Sequence, residues 1–296
     1  MGYNLIKGYF HLFYQSEYRF VGARPDGDSM WFKPNNPTHL TNLGGRNVDY
    51  NGGGFAQLRF EGIDALELHY KGSHQKVPEC VSARDRLLQL AGFKDVTYAP
   101  SSVSGIDTSV RTASPHPRKG YILSRNVDPY GRPVAFVFVG DTTEADGSGT
   151  YLTARMMARS LNAKLVADGF AYPAYYTGLP FDLRDRLTSI TKKSRRRGRG
   201  IWKVDVSISG TRITDASDLE KVAQWPKLFR RLVSYFSDGN AGLNGFETWL
   251  RGDTNRDDYL WIISRGEFGN MHDIVEVTGN AIKMVFGPED VVIVPR

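Results

Sequence analysis

Cysteine is almost absent from this chain of 296 residues: Cys80 stands alone. A lone cysteine excludes an intrachain disulfide and any zinc centre assembled from several thiolates of this chain. Long apolar runs are missing as well. Nothing approaches the roughly 18 consecutive apolar residues of a membrane span, so no membrane partner is expected. The opening segment from Met1 to Phe10 has neither the apolar stretch nor the small-residue cleavage site of a secretory leader, and the expectation is a cytoplasmic protein. Ile6 stands where a myristoylation signal needs Ser or Thr, so Gly2 is not a lipid acceptor. Residues 203–296 hold no internal repeat or low-complexity segment. What remains is an ordinary globular balance, 41% hydrophobic and 24% charged, which excludes wholesale disorder.

Acidic charge is scarce in one part of the chain only. Residues 1–202 carry 27 Lys and Arg against 18 Asp and Glu, a net +9, whereas residues 203–296 carry 11 against 14, a net −3. Length and charge together suggest two domains, 1–202 and 203–296. The basic one is suited to attracting a polyanion.

Hydrophobic patterning gives the basic segment five strands. Tyr9 to Val21 and Met30 to Phe32 flank the turn Asp26-Gly27-Asp28; Phe55 to Ile63 forms a third strand. Val96 to Tyr98 and Tyr121 to Leu123 read as two parts of a fourth, interrupted by a Ser-rich insertion, and Pro133 to Val139 is the fifth. Ser82 to Ala91 has helical spacing, and helices are expected near Tyr151–Asp168 and Asp182–Lys193. Five strands with a helix between the third and fourth suggest an OB-type β-barrel with packed helices. The remaining residues suggest a small α+β domain: a strand at Val204–Ile208, a helix from Asp215 to Tyr235 kinked or delayed by Pro226, then strands near Tyr259, Ile274, Ile282 and Val291. The fold class expected for the whole is therefore α+β. The acidic segment offers no chemical motif, and a protein partner or self-association is the role expected of it.

Three short segments hold the chemistry: Asp26-Gly27-Asp28, Arg59-x4-Asp64-x2-Glu67 and Asp128-Pro129-Tyr130-Gly131-Arg132. Carboxylates can hold a hard divalent cation through oxygen. Arginines present a planar fork to phosphate oxygens and stay charged at any working pH. Taken singly, Asp-Gly-Asp and Tyr-Gly-Arg are ordinary turn chemistry. In this order, followed by Val166-Ala167-Asp168-Gly169-Phe170-Ala171, Ala174-Tyr175-Tyr176 and Gly200-Ile201-Trp202, they resemble the staphylococcal nuclease (thermonuclease) family over about residues 8–202.

The resemblance implies a calcium-dependent phosphodiesterase acting on DNA, RNA or both, expelling the 5′ oxygen to leave 3′-phosphate and 5′-hydroxyl ends. It implies Asp28, Asp64 and the Ala65 carbonyl as calcium ligands, Glu67 as the group handling the water proton, and Arg59 and Arg132 as phosphate clamps. Tyr130 and Tyr175 fall where family members contact substrate, and Asp26 where an acid supports the metal ligands. Ala65-Leu66 replaces the usual Thr-Pro, and Pro129 replaces a lysine that commonly precedes Tyr-Gly-Arg. The second change favours internal over end-directed cleavage. The alternative is a non-catalytic nucleic-acid-binding or scaffold protein on the same barrel.

Weaker candidates lack the right spacing. Asp253 to Asp258 begins like a calcium loop but has Asp258 where glycine is required and Ser264 where the closing acid belongs. His69, His74 and Cys80 match no standard zinc spacing. His272-Asp273 has no nucleophile in its motif, which leaves a surface or packing role. The basic run from Lys192 to Arg199 reads as a solvated helix end offsetting the helix dipole.

Overall fold

A computed structural model describes residues 2–100, 105–106 and 108–295. The chain forms two compact units, one made of residues 1–61 and 84–165, the other of 62–83 and 166–296. Residues 62–83 and 166–202 fall in one unit with the C-terminal segment. Charge redistributes accordingly. The first unit holds 17 Lys and Arg against 12 Asp and Glu, the second 21 against 20.

The first unit is a closed five-stranded barrel of OB type with helices packed on it. Its strands are β1 (Tyr3–His11), β2 (Ser29–Pro34), β3 (Ala56–Phe60), β4 (Arg118–Val127) and β5 (Pro133–Val139). They pair in the order β1-β2-β3-β5-β4, and β4 closes on β1 over seven antiparallel residue pairs from Asn4↔Ser124 to Phe10↔Arg118. Only β3 and β5 run parallel. Alternation builds the core: Leu5, Phe10, Met30, Phe32, Leu58, Phe60, Ile122 and Phe136 are buried, as period-2 strands require.

Two glycines make the closure possible. Gly8 faces Gly120 across the β1–β4 seam. A Cβ on Gly8 would lie 2.2 Å from the Lys33 carbonyl oxygen, and one on Gly120 would lie 2.2 Å from the Phe10 ring, so neither position tolerates a side chain. Buried Asn162 then ties the β3–β5 edge. Its amide nitrogen donates to the carbonyls of Glu61 at 2.9 Å and Ala135 at 3.0 Å, and its oxygen accepts from the Val137 amide at 3.0 Å.

The fourth strand differs from expectation. It is one continuous element, while Lys94–Tyr98 pairs with Val110–Ser114 as a separate hairpin; part of the Ser-rich insertion lies outside the described residues. The helix expected over Tyr151–Asp168 breaks into Ala154–Met157 and Leu161–Asp168, with the Thr153 side chain capping the first.

In the second unit the short strand Tyr175–Tyr176 joins a four-stranded sheet with Val291–Ile293, Tyr259–Ile262 and Glu267–Asn270. A three-stranded sheet contains Thr211–Arg212, Ala281–Met284 and Val275–Thr278. Helix α1 (Phe181–Arg196) carries most of the basic run, and its Arg195 forks onto Glu289 with contacts of 2.5 and 2.7 Å. Val204–Ile208 is not a strand; Asp205 makes only an isolated bridge to Ala223. Pro226 sits at the first turn of helix α2 (Pro226–Ser237), where its missing N–H has no partner to lose. The helix buries Leu228, Phe229, Leu232, Val233 and Tyr235, a stripe at three- and four-residue spacing. Preceding it, fully buried Trp225 donates its indole N–H to the Pro173 carbonyl at 3.3 Å.

Candidate functional site

In the barrel unit both proposed clamp arginines settle on one carboxylate. Asp128 is 5% exposed and begins a tight turn in which the Gly131 amide bonds the Asp128 carbonyl at 3.0 Å. Gly131 has φ +78°, a conformation glycine adopts without strain. One oxygen of Asp128 accepts the backbone amides of Tyr130 at 2.9 Å and Arg132 at 3.0 Å. The other accepts Arg132 Nε at 2.8 Å, lies 2.7 Å from its terminal nitrogen, and lies 3.8 Å from Arg59. The arginine side chains nonetheless remain partly exposed, at 24% for Arg59 and 30% for Arg132. A buried acid thus braces two partly exposed arginines. Tyr130 is 74% exposed, with the Arg132 guanidinium 5.4 Å from its ring.

Arg59 lies opposite Ser29 in the β2–β3 register. The Ser29 hydroxyl donates to Asp26, and the Asp28 carbonyl accepts the Phe60 amide at 3.1 Å. Asp26 and half-buried Asp28 are therefore fixed at the head of β2, near the end of β3 that carries Arg59. The sequence reading missed Asp128 as a site residue. Its signal was an acid four residues before an arginine across a glycine turn, which resembled turn chemistry alone.

In the second unit the remaining candidates sit on a loop with its own scaffold. Gly62, at φ +79°, turns the chain into the two-residue strand Ile63–Asp64, which pairs with Tyr172–Pro173. Gln75, fully buried, accepts the Glu67 amide at 3.1 Å and returns its own amide to the Glu67 carbonyl at 2.8 Å. Ala65 is buried. Tyr175 is fully buried and its hydroxyl meets Thr188 at 2.9 Å; it fills the core instead of presenting a face to substrate. Burial pushes its phenol above the ordinary range, against the hydrogen bond from Thr188.

The carboxylates of this loop already have a cation. Arg230, from the middle of α2, donates to Asp64 at 2.5 and 3.1 Å through its two terminal nitrogens, and to Glu67 through one of them. Asp64 is 9% exposed, Glu67 14% and Arg230 21%. Burial opposes the charge on Arg230, but the two carboxylates outweigh it and hold the guanidinium far above its ordinary pKa. As folded, this pair does not fit a divalent cation. Both oxygens of Asp64 are on Arg230, and a dication about 4 Å from a guanidinium would be repelled by about 8 kcal/mol at an effective dielectric constant near 20. Nothing local marks Arg230 in the sequence; it lies 166 residues from Asp64.

The weaker candidates resolve into structural contacts. Asp258 binds Lys227 at 2.8 Å and Arg231 at 2.6 Å. His272 is held between Asp257 at 2.6 Å and Asp273 at 3.0 Å. Cys80 is buried against the Gln75 carbonyl, and His74 faces Glu220 at 3.6 Å. Among the described residues, no group of three or more His, Cys, Asp or Glu side chains is placed to hold a metal, and no helix is long and apolar enough to cross a membrane.

A family model described as staphylococcal nuclease homologue matches residues 57–204, and the chain belongs to that family. Members are generally nucleases, typically calcium-dependent, and the domain implies a nucleic acid substrate. No curated protein matches the chain.

Proposed function

We propose that the chain is a nuclease: an endonuclease hydrolysing phosphodiester bonds of DNA, RNA or both with little sequence preference. The observation that carries this is the pair Arg59 and Arg132, braced on buried Asp128 with their side chains partly exposed. In this mechanism the two arginines grip non-bridging phosphate oxygens and stabilise the charge that develops on the phosphoryl group as water attacks. The new bond joins the water oxygen to phosphorus and the bond to the 5′ oxygen breaks, that oxygen taking a proton from solvent; Glu67, once it has left Arg230, takes the water proton. The products are 3′-phosphate and 5′-hydroxyl ends. Tyr130 is exposed enough to lie along the substrate, with Asp26 supporting Asp28.

Calcium would draw on Asp28, Asp64 and the Ala65 carbonyl by family likeness, but Asp64 must first leave Arg230, so no step here is routed through the ion. That same contact favours the second reading, a barrel that binds nucleic acid without cutting it. A protein partner or self-association through residues 203–296 remains a further proposal.

The test is a gel assay of plasmid, single-stranded DNA and RNA in calcium and in excess EGTA. Cutting that stops in EGTA and is lost in Arg59→Ala and Arg132→Ala is the expected result. Intact substrate throughout, with retained binding, would select the non-catalytic reading. Equal cutting in EGTA would remove calcium from the account.

A further inference from the structure

Helix α2 carries three cations, Lys227, Arg230 and Arg231, and they are sorted between two acidic seats. Lys227 and Arg231 both go to Asp258. Arg230 alone goes to Asp64 and Glu67, where its terminal nitrogens make three contacts with the two carboxylates. The seat is secured from both sides. Leu228, Phe229, Leu232 and Val233 anchor the helix in the core, and Lys71, four residues beyond Glu67 in the loop, donates to Ser234 of the same helix at 3.1 Å. Arg230 also lies beyond the 57–204 span matched by the family, so the cation is supplied by sequence outside the family pattern.

We infer that Arg230 is a built-in competitor for calcium, a guanidinium that holds the Asp64–Glu67 pair in the resting chain and suppresses both ion binding and cutting until it is withdrawn. Two negative charges facing one positive charge leave the pair attractive to a stronger cation, yet the fork geometry that satisfies Asp64 leaves no room for both. A guanidinium keeps its charge at every working pH, so acid or base acting on Arg230 does not release it. Release requires a movement of the side chain or of α2. The consequence for cutting rests on the nuclease reading; the consequence for ion binding does not.

The test uses the full chain, with calcium affinity measured by calorimetry and by displacement of terbium luminescence. Arg230→Gln is expected to bind calcium at least about tenfold more tightly than the unaltered chain, and Asp64→Asn in the Arg230→Gln background should remove the gain. Arg230→Lys keeps the charge but cannot fork between two carboxylates, so it should show a smaller gain and serves if the glutamine variant does not fold. Equal calcium affinity in the unaltered chain and a folded variant would overturn the inference. So would an Asp64-dependent site in the unaltered chain that saturates well below millimolar calcium. Cleavage measured in parallel separates the two proposals. Tighter calcium binding with no cutting by any variant sinks the nuclease and keeps the competitor; calcium-dependent cutting that is equal in all variants does the reverse.

Discussion

The two units use the same ion-pair chemistry to opposite ends. In the barrel unit a buried acid, Asp128, braces Arg59 and Arg132, and the positive charge is displayed. In the second unit a single arginine, Arg230, at 21% about as exposed as Arg59, is shared by two largely buried acids, Asp64 and Glu67. One unit gathers two arginines on one acid; the other gathers two acids on one arginine. An ion pair therefore says little about function until the charges on each side of the cluster are counted.

The largest effect expected is from truncation. A fragment ending near Val206 would keep residues 166–202 but lose Trp225, Arg230, Glu289 and the strand Val291–Ile293 that pairs with Tyr175–Tyr176. Arg195 also loses Glu289, but at 32% exposed it is solvated once its partner is gone, so the loss of the buried Trp225 and of the paired strand dominates. The second unit is predicted to lose protease resistance and its near-ultraviolet dichroism. A fragment in which residues 166–202 stay protected would restore the boundary after Trp202.

Next come the clamp arginines. Arg59→Ala and Arg132→Ala are each expected to lower turnover by about 100-fold, the scale for losing one preorganised donor to developing charge; lysine should rescue poorly. Near-normal turnover in either folded alanine variant would show that display of charge by the barrel is not what the chemistry uses. Asp128→Asn should act more mildly, weakening oligonucleotide binding by about tenfold, a scale of about 1.4 kcal/mol, because the arginines remain but lose the charge that aims them.

The smallest effect sharpens the comparison through pH. In the barrel unit His11 packs on Phe55 at 4.4 Å. Burial, then the charges of His116 and Lys33, push its pKa from 6.5 down to about 4. The folded chain thus favours neutral His11, and the stability this contributes is present above pH 6.5 and is lost as pH falls toward 4. His11→Phe should flatten the fall in barrel melting temperature across that window. An unchanged slope would locate the acid sensitivity elsewhere.

Much of the barrel was legible because strand alternation and turn glycines are local signals. The order of Asp28, Arg59, Asp64, Glu67 and Arg132 was legible because the motifs are contiguous. What escaped depends on contacts between distant residues. Val96–Tyr98 looked like half of β4, since a short β-rich run carries no mark of the strand it will pair with. Tyr175 admitted both a substrate contact and core packing, because an aromatic residue looks the same in sequence whether it stacks on a base or fills a core; it is fully buried. Arg230 was invisible: Arg230 and Arg231 are adjacent and alike, and only packing sends one to Asp64 and the other to Asp258. The boundary after Trp202 followed a real shift in charge, but compactness is decided by burial, and Trp225 buries itself beside Pro173.

The most direct test of the account is whether the Arg59–Asp128–Arg132 cluster grips phosphate. The measurement is fluorescence anisotropy of a phosphorothioate oligonucleotide in EGTA across a salt series, comparing the unaltered chain with the Arg59→Ala/Arg132→Ala double variant. Each neutralised phosphate contributes about 0.7 to the slope of log affinity against log salt on a single strand. Both arginines serve one phosphate, so the double variant is expected to bind more weakly with a slope shallower by about 0.7. Equal affinity and equal slope in a folded double variant would contradict it.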